Sequence, residues 1–479
     1  MRDFSFSGFL TRIAQCLALS LTLAVLPCAA ASPPNMLVVL VDDLRWDDLG
    51  CAGHPFVKTP HMDRVASEGA RFLNAFATTP LCSPSRACLL TGMHARAHGI
   101  TDNTERGPQS HKLATFPQSL QGAGYETAFI GKWHMGNDDS RRPGFDHWVC
   151  LKGQGTSFDP VLNVNGEVRK EKGHATDVLH QQALQFLQQP HSKPFLLYLS
   201  HKALHPETVQ RADGSLSDPN ASTFIPAERH RDLYAGQRIP RPASALASPQ
   251  DKPALQRSIG DLPPLGPATG SSDESILGRL RMLAGVDESV GGLLHELEKS
   301  GALDHTLVVV TSDHGYFYGE HGLSVERRLA YEESIRIPLL MRLPGVIQAG
   351  SKPSQMALTI DLAPTCLELA GIEPPSQIQG RSLLPLLGIS PPPGWREDFM
   401  IEYYTDTVFP RIRQMGYQAL RTTRWKLIHY LELPDSDELY DLDADPSEMR
   451  NVISDPAHAQ TLGDLRSRLA RRVGQNGGR

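Results

Sequence analysis

Apolar residues come in short unbroken runs that end in polar, ligand-type side chains. Asn35–Val41 (NMLVVLV) runs into Asp42-Asp43, and Phe195–Ser200 (FLLYLS) leads to His201 and His205. Residues 125–130 end at Gly131-Lys132, and residues 307–311 (LVVVT) end at Ser312-Asp313-His314. Runs of this length without polar alternation read as strands buried on both faces, as in a parallel sheet. Residues 337–341 read as a fifth strand. Between the strands, Thr59-Pro60 opens a helix that reaches about residue 69, residues 83–90 begin another, and residues 113–123 form a third. The expected fold is α/β, a large, mostly parallel mixed sheet between layers of helices. In such a sheet, sites form at the carboxyl ends of the strands, so these polar residues can converge from distant parts of the chain.

Residues 211–276 are rich in Pro, Ser, Gly and Asp and read as long surface loops. Pro391-Pro392-Pro393-Gly394 is the clearest linker. Beyond it, residues 399–404 and 424–430 read as strands and residues 461–473 as an amphipathic helix, with Trp425 and Lys426 packing against the main body. The expected organisation is a catalytic domain over 32–390 and a small α+β domain with an antiparallel sheet over 391–479. Residues 1–31 read as a signal peptide. Arg2 and Arg12 flank a polar start, an apolar run over 17–26 is too short for a typical span, and small residues follow Cys28. Export to the periplasm or medium is expected, with no stable membrane insertion.

Composition narrows the partners. A formal charge of −6 over 479 residues argues against nucleic acid, whose phosphate backbone demands a basic surface. Of the seven cysteines, Cys16 and Cys28 would leave with the signal. The other five, Cys51, Cys82, Cys88, Cys150 and Cys366, show no disulfide-framework spacing. An odd number invites a search for one with another role.

That search leads to Cys82-Ser83-Pro84-Ser85-Arg86, followed by Thr91-Gly92. Gly131-Lys132-Trp133-His134 stands downstream, then Ser312-Asp313-His314-Gly315 and Gly319-Glu320-His321-Gly322. In this order, over residues 35–450, the chain resembles the formylglycine-dependent sulfatases of the alkaline phosphatase superfamily. Gly153-Gln154-Gly155, Asp159-Pro160 and Asn163-Val164-Asn165-Gly166 resemble bacterial N-acetylglucosamine-6-sulfatase-like and mucin-desulfating members.

The resemblance implies that a separate maturation enzyme oxidises Cys82 to formylglycine. As a geminal diol, that residue offers one oxygen to attack sulfur and a second to expel the bound sulfate. It implies a metal held by Asp42, Asp43, Asp313 and His314 together with residue 82. Three carboxylates suit one hard divalent cation, most simply Ca²⁺, while the histidine leaves Mg²⁺ or a softer ion open. Lys132 would contact sulfate, His134 would act as base on the diol, and Arg86 would support residue 82. His205 would protonate the leaving oxygen, with His201 the alternative. Arg327 stands where many relatives have lysine and would bind sulfate, with Arg328 a competitor. The implied function is sulfate removal from a sulfated saccharide. The alternatives are a phosphoesterase of the same superfamily and an inactive protein that binds sulfated glycans.

Overall fold

The computed structural model describes residues 32–218, 222–388, 393–405 and 408–476. The expected signal peptide and the expected domain boundary at 390–391 lie outside them. From Pro34 onward the chain forms one compact unit. No helix among the described residues is long and apolar enough to cross a membrane.

Nine strands build the main sheet: β1 (Asn35–Val41), β2 (Ala70–Arg71), β3 (Glu126–Lys132), β4 (His147–Leu151), β5 (Val161–Val164), β6 (Glu167–Lys170), β7 (Phe195–Ser200), β8 (Thr306–Ser312) and β9 (Leu339–Arg342). Their spatial order is β2-β9-β8-β1-β7-β3-β4-β5-β6. The five central strands, β8-β1-β7-β3-β4, are parallel, and the flanking pairs are antiparallel. The sheet is thus mixed, with the parallel strands at its centre.

Side chains that alternate along β1 serve two cores. Leu37, Val39 and Val41 face α1 (Pro60–Ser67), α4 (Ala175–Leu187) and α5 (Asp273–Lys299). Met36, Val38 and Leu40 face α2 (Cys82–Thr91), α3 (Phe116–Gly122) and α6 (Leu362–Leu369). Burial on both faces explains why the strand reads as an unbroken apolar run. A second, four-stranded antiparallel meander, β10 (Asp398–Tyr403), β11 (Tyr417–Thr422), β12 (Trp425–Tyr430) and β13 (Glu438–Asp441), packs with α7 (Ala459–Asn476).

Register decides where the site lies. Leu40 stands beside Ser200 on one side, Val41 beside Ser312 on the other, and Gly131 beside Ser200. The residues after β1, β3, β7 and β8 therefore leave the sheet at one edge.

Candidate active site

α2 begins at Cys82 itself, one residue earlier than the sequence pattern suggests, after Leu81 in an extended conformation. All ten of its residues are buried. Ser83 Oγ donates to the carbonyl of His134, Ser85 Oγ to that of Asp313 at 2.6 Å, and Ser83 N to Asn103 Oδ1 at 3.0 Å. The two serines of the motif thus dock the helix start onto the tips of β3 and β8. At the other end Gly92 takes φ +69°, where a Cβ would stand 2.9 Å from Ile378.

The acidic pair after β1 splits. Asp42 N donates to Ala203 O at 2.9 Å, and Asp43, at φ +60°, donates its N–H to Asp313 Oδ1 at 3.1 Å. Ligand-type atoms of Asp43, Cys82 and His314 lie within 4.8 Å of one another, as do those of Asp42, Cys82 and Asp313. Cys82 Sγ is 3.4 Å from His314 Nε2. All five residues are buried.

Cations surround this cluster. Lys132 Nζ bonds Asp42 Oδ2. Arg86 Nη2 lies 2.9 Å from Asp313 Oδ2 and 3.3 Å from Asp42 Oδ1, while its Nη1 donates to Lys132 O and Ser200 Oγ. Arg327 Nε donates to Asp43 Oδ1 at 2.9 Å, and its Nη2 reaches His205 Nε2 at 2.8 Å. A guanidinium can only donate, so His205 Nε2 accepts and its Nδ1–H points to Pro206 O at 2.9 Å. His205 is the histidine that joins the cluster. The pKa of His201 is instead held down at about 3 by burial and by His180 and His174, and Arg328 stacks on Phe409 at 4.4 Å.

The titration directions describe one unbalanced centre. Burial pushes Asp42 up, but Lys132 and Arg86 more than offset it and hold the carboxyl well below its ordinary value. Burial and the neighbouring Asp42 raise Asp313. Burial opposes a charged His314, yet Asp313, Cys82 and Asp43 override it and push the imidazole up to about 9. Burial, with Lys132 and Arg86, drives His134 well below the ordinary histidine value. Burial with Lys132 and Arg327 does the same to His205. Asp42 Oδ1 and Asp43 Oδ2 are buried and accept no hydrogen bond of good geometry from the described residues, although Arg86 Nη2 lies 3.3 Å from the first and Arg327 Nε 2.9 Å from the second. Three buried carboxylates that converge on residue 82 offer the hard oxygen donors that suit a divalent cation.

Arg279, from the second turn of α5, was not legible as a site residue. Its guanidinium bonds Asp43 O and Leu204 O and stacks on Tyr316 at 3.9 Å. Gln210 was missed as well: its Oε1 bonds His134 Nε2. For Arg279 the one available signal is a buried-face arginine within an amphipathic repeat. Gln210 lies in a loop without periodicity and gives none.

Residues 34–372 match the family described as Sulfatase, and residues 319–475 match N-sulphoglucosamine sulphohydrolase, C-terminal. The chain is 34% identical to N-acetylglucosamine-6-O-sulfatase of Bacteroides thetaiotaomicron, over 90% of this chain and 85% of that protein. It is 29% identical to human N-acetylglucosamine-6-sulfatase, over 92% and 84%. A solved structure, of a protein in complex with its substrate D-glucosamine-2-N,6-O-disulfate, superposes with a TM-score of 0.80 at 32% identity, covering 93% of this chain and 98% of that one. The chain belongs to the sulfatase family and is a sulfuric ester hydrolase on an alkaline phosphatase-like α/β fold.

Proposed function

We propose that this sulfatase removes the 6-O-sulfate of a glucosamine unit in an exported setting, with residue 82 as formylglycine and Ca²⁺ held by Asp42, Asp43, Asp313 and His314. The observation that carries the reading is the convergence of residue 82 with three buried carboxylates from the tips of two adjacent strands. The substrate class rests on the relatives named for N-acetylglucosamine 6-sulfate and on the neighbour complexed with a glucosamine disulfate. A signal peptide at residues 1–31 would deliver the enzyme to where such glycans occur.

Formylglycine, as its hydrate, supplies a nucleophilic oxygen and a second oxygen able to release sulfate. Ca²⁺ supplies fixed positive charge that favours an ionised nucleophile and offsets charge on the transferring group. The chain's own residues do the rest. Lys132 and Arg327 present donors to sulfate oxygens in a water-poor site, where each contact is worth more than in solvent. Arg86 fixes Asp42 and Asp313 against the start of α2. His205 sits between Lys132 and Arg327, which disfavour its protonation. An incoming sulfate ester offsets both cations, so its arrival raises the proton affinity of His205 and prepares it to protonate the leaving oxygen. His134, neutral and buried, takes a proton when sulfate departs.

The test is sulfate release by protein produced together with a maturation enzyme. N-acetylglucosamine 6-sulfate, its 3-sulfate isomer and galactose 6-sulfate serve as substrates, beside a matched aryl sulfate and aryl phosphate. The expected result is fastest release from the glucosamine 6-sulfate and aryl sulfate faster than phosphate. Faster phosphate turnover, or no release from any sulfated amino sugar, overturns the reading.

A further inference from the structure

A cavity of about 450 Å³ is walled by Asn137, Lys152, Gln154, Thr156, Thr208 and Gln210, the last of which bonds His134. Its size lies within the range of small-molecule sites, about 300–1,000 Å³. Three features mark it as built for a ligand. Gln154 and Thr208 are 4% and 6% exposed, yet Gln154 Oε1 and Thr208 Oγ1 have no hydrogen-bond partner among the described residues. Such atoms are costly to bury unless something else answers them. Lys152 is exposed at the cavity and makes no ion pair with any described residue. Gln210, finally, joins the cavity to the reactive centre. Its Oε1 accepts from Gln154 Nε2 at 3.0 Å and bonds His134 Nε2, while its Nε2 donates to Gly214 O at 2.9 Å.

The chemistry of the wall selects the ligand. Amides and hydroxyls offer paired donors and acceptors, as sugar hydroxyls require. Val161 and Val209 add a small apolar surface. No aromatic ring among the described residues lines the cavity to stack a base. One unpaired cation calls for one anionic group. We propose that this cavity is a subsite for a second sugar unit of the same glycan, one that carries a carboxylate or sulfate directed to Lys152. The inference rests on the saccharide substrate proposed above and adds that the enzyme reads the neighbour of the sulfated glucosamine. The Gln154–Gln210 pair then lets occupation of the subsite steady the ring of His134.

The experiment compares kcat/KM on disaccharides in which glucosamine 6-sulfate is linked to a uronate, to a sulfated sugar or to a neutral sugar, with an aryl sulfate as control. Wild-type enzyme is expected to prefer at least one acidic disaccharide over the neutral one by about tenfold, roughly the worth of one charge-assisted contact. The acidic partner preferred tells carboxylate from sulfate. Lys152→Ala should bring that ratio close to one, mainly through KM, and Lys152→Arg should restore most of it. Thr208→Val should weaken both acidic and neutral disaccharides alike. No wild-type preference, or a preference that survives Lys152→Ala, overturns the subsite. Hydrolysis of the aryl sulfate with no turnover of any sulfated amino sugar would instead bring down the substrate reading, and the subsite with it.

Discussion

Two regions of the molecule bury many charges, and they differ in what those charges face. At the junction between the main body and the meander, Lys426 Nζ lies 2.8 Å from Glu332 and 2.7 Å from Glu448, and Arg421 Nε donates to Glu332 at 3.1 Å. The hydroxyls of Tyr331, Tyr430 and Tyr440 all reach Glu438. Lys252, from the loop-rich stretch, bonds Tyr440 and Glu448 O. At the strand tips, by contrast, Asp42, Asp43 and Asp313 crowd one another and the sulfur of Cys82. Buried charge alone therefore does not mark a site. At the junction, opposite charges and hydroxyls close on one another. At the tips, three carboxylates converge on one sulfur, with Lys132, Arg86 and Arg327 around them, and so gather oxygens at one point where a cation can bind.

The comparison breaks first at residue 82. Cys82→Ala should abolish turnover, by on the order of 10⁴-fold or more, because no other group replaces the nucleophile. Its circular dichroism and melting temperature should match those of wild type. Activity that survives would remove residue 82 from the chemistry. Next comes Asp313→Asn, which removes one of three mutually repelling carboxylates. Activity should fall at least about 100-fold through weakened metal binding. Thermal stability should hold or rise, since neutralising a crowded buried charge relieves repulsion. A large loss of stability would mean that the tips are as internally satisfied as the junction.

Lys426→Met should behave in the opposite way. It strips Glu448 of its buried cation and leaves Glu332 with Arg421 alone, at a cost of about 3–5 kcal/mol in chemical denaturation, while kcat of the folded fraction stays within a few-fold. The smallest effect concerns Glu438, which burial holds above the ordinary glutamate value even against Lys252 and the tyrosine hydroxyls. A raised folded-state pKa means the fold binds this proton more tightly than the unfolded chain. The stabilisation is complete below the unfolded value and is lost as pH rises through the folded one. Glu438→Gln should flatten that part of the stability–pH curve, by about 1.4 kcal/mol for each pH unit separating the two values. An unchanged slope would assign it to another group.

How much of this could be read from sequence follows from the same physics. The central strands and the polar residues at their tips were legible, because burial on both faces leaves unbroken apolar runs. β4, β5 and β6 were not: β4 is central but only five residues long, β5 and β6 lie at the sheet edge, and β6 is exposed along its whole length. α5 was hidden by Gly278, Gly285, Gly291 and Gly292, which argue against a helix on propensity. Packing requires some of them. A Cβ on Gly291 would stand 2.6 Å from His61, and one on Gly292 2.5 Å from His180. Because the helix went unread, so did Arg279. Of the loops expected over 211–276, the described residues up to 272 carry only short 3₁₀ turns, while the last four residues already belong to α5. The contact from Gln210 to His134 depends on tertiary placement that no local pattern encodes.

The central claim is that the converging strand tips serve an aldehyde at position 82. Peptide mass spectrometry across residues 81–86, on preparations with graded specific activity, tests it most directly. The account predicts an aldehyde in place of the thiol at position 82, with sulfate release in proportion to the fraction converted. Full activity in protein whose residue 82 is entirely unmodified cysteine would contradict it.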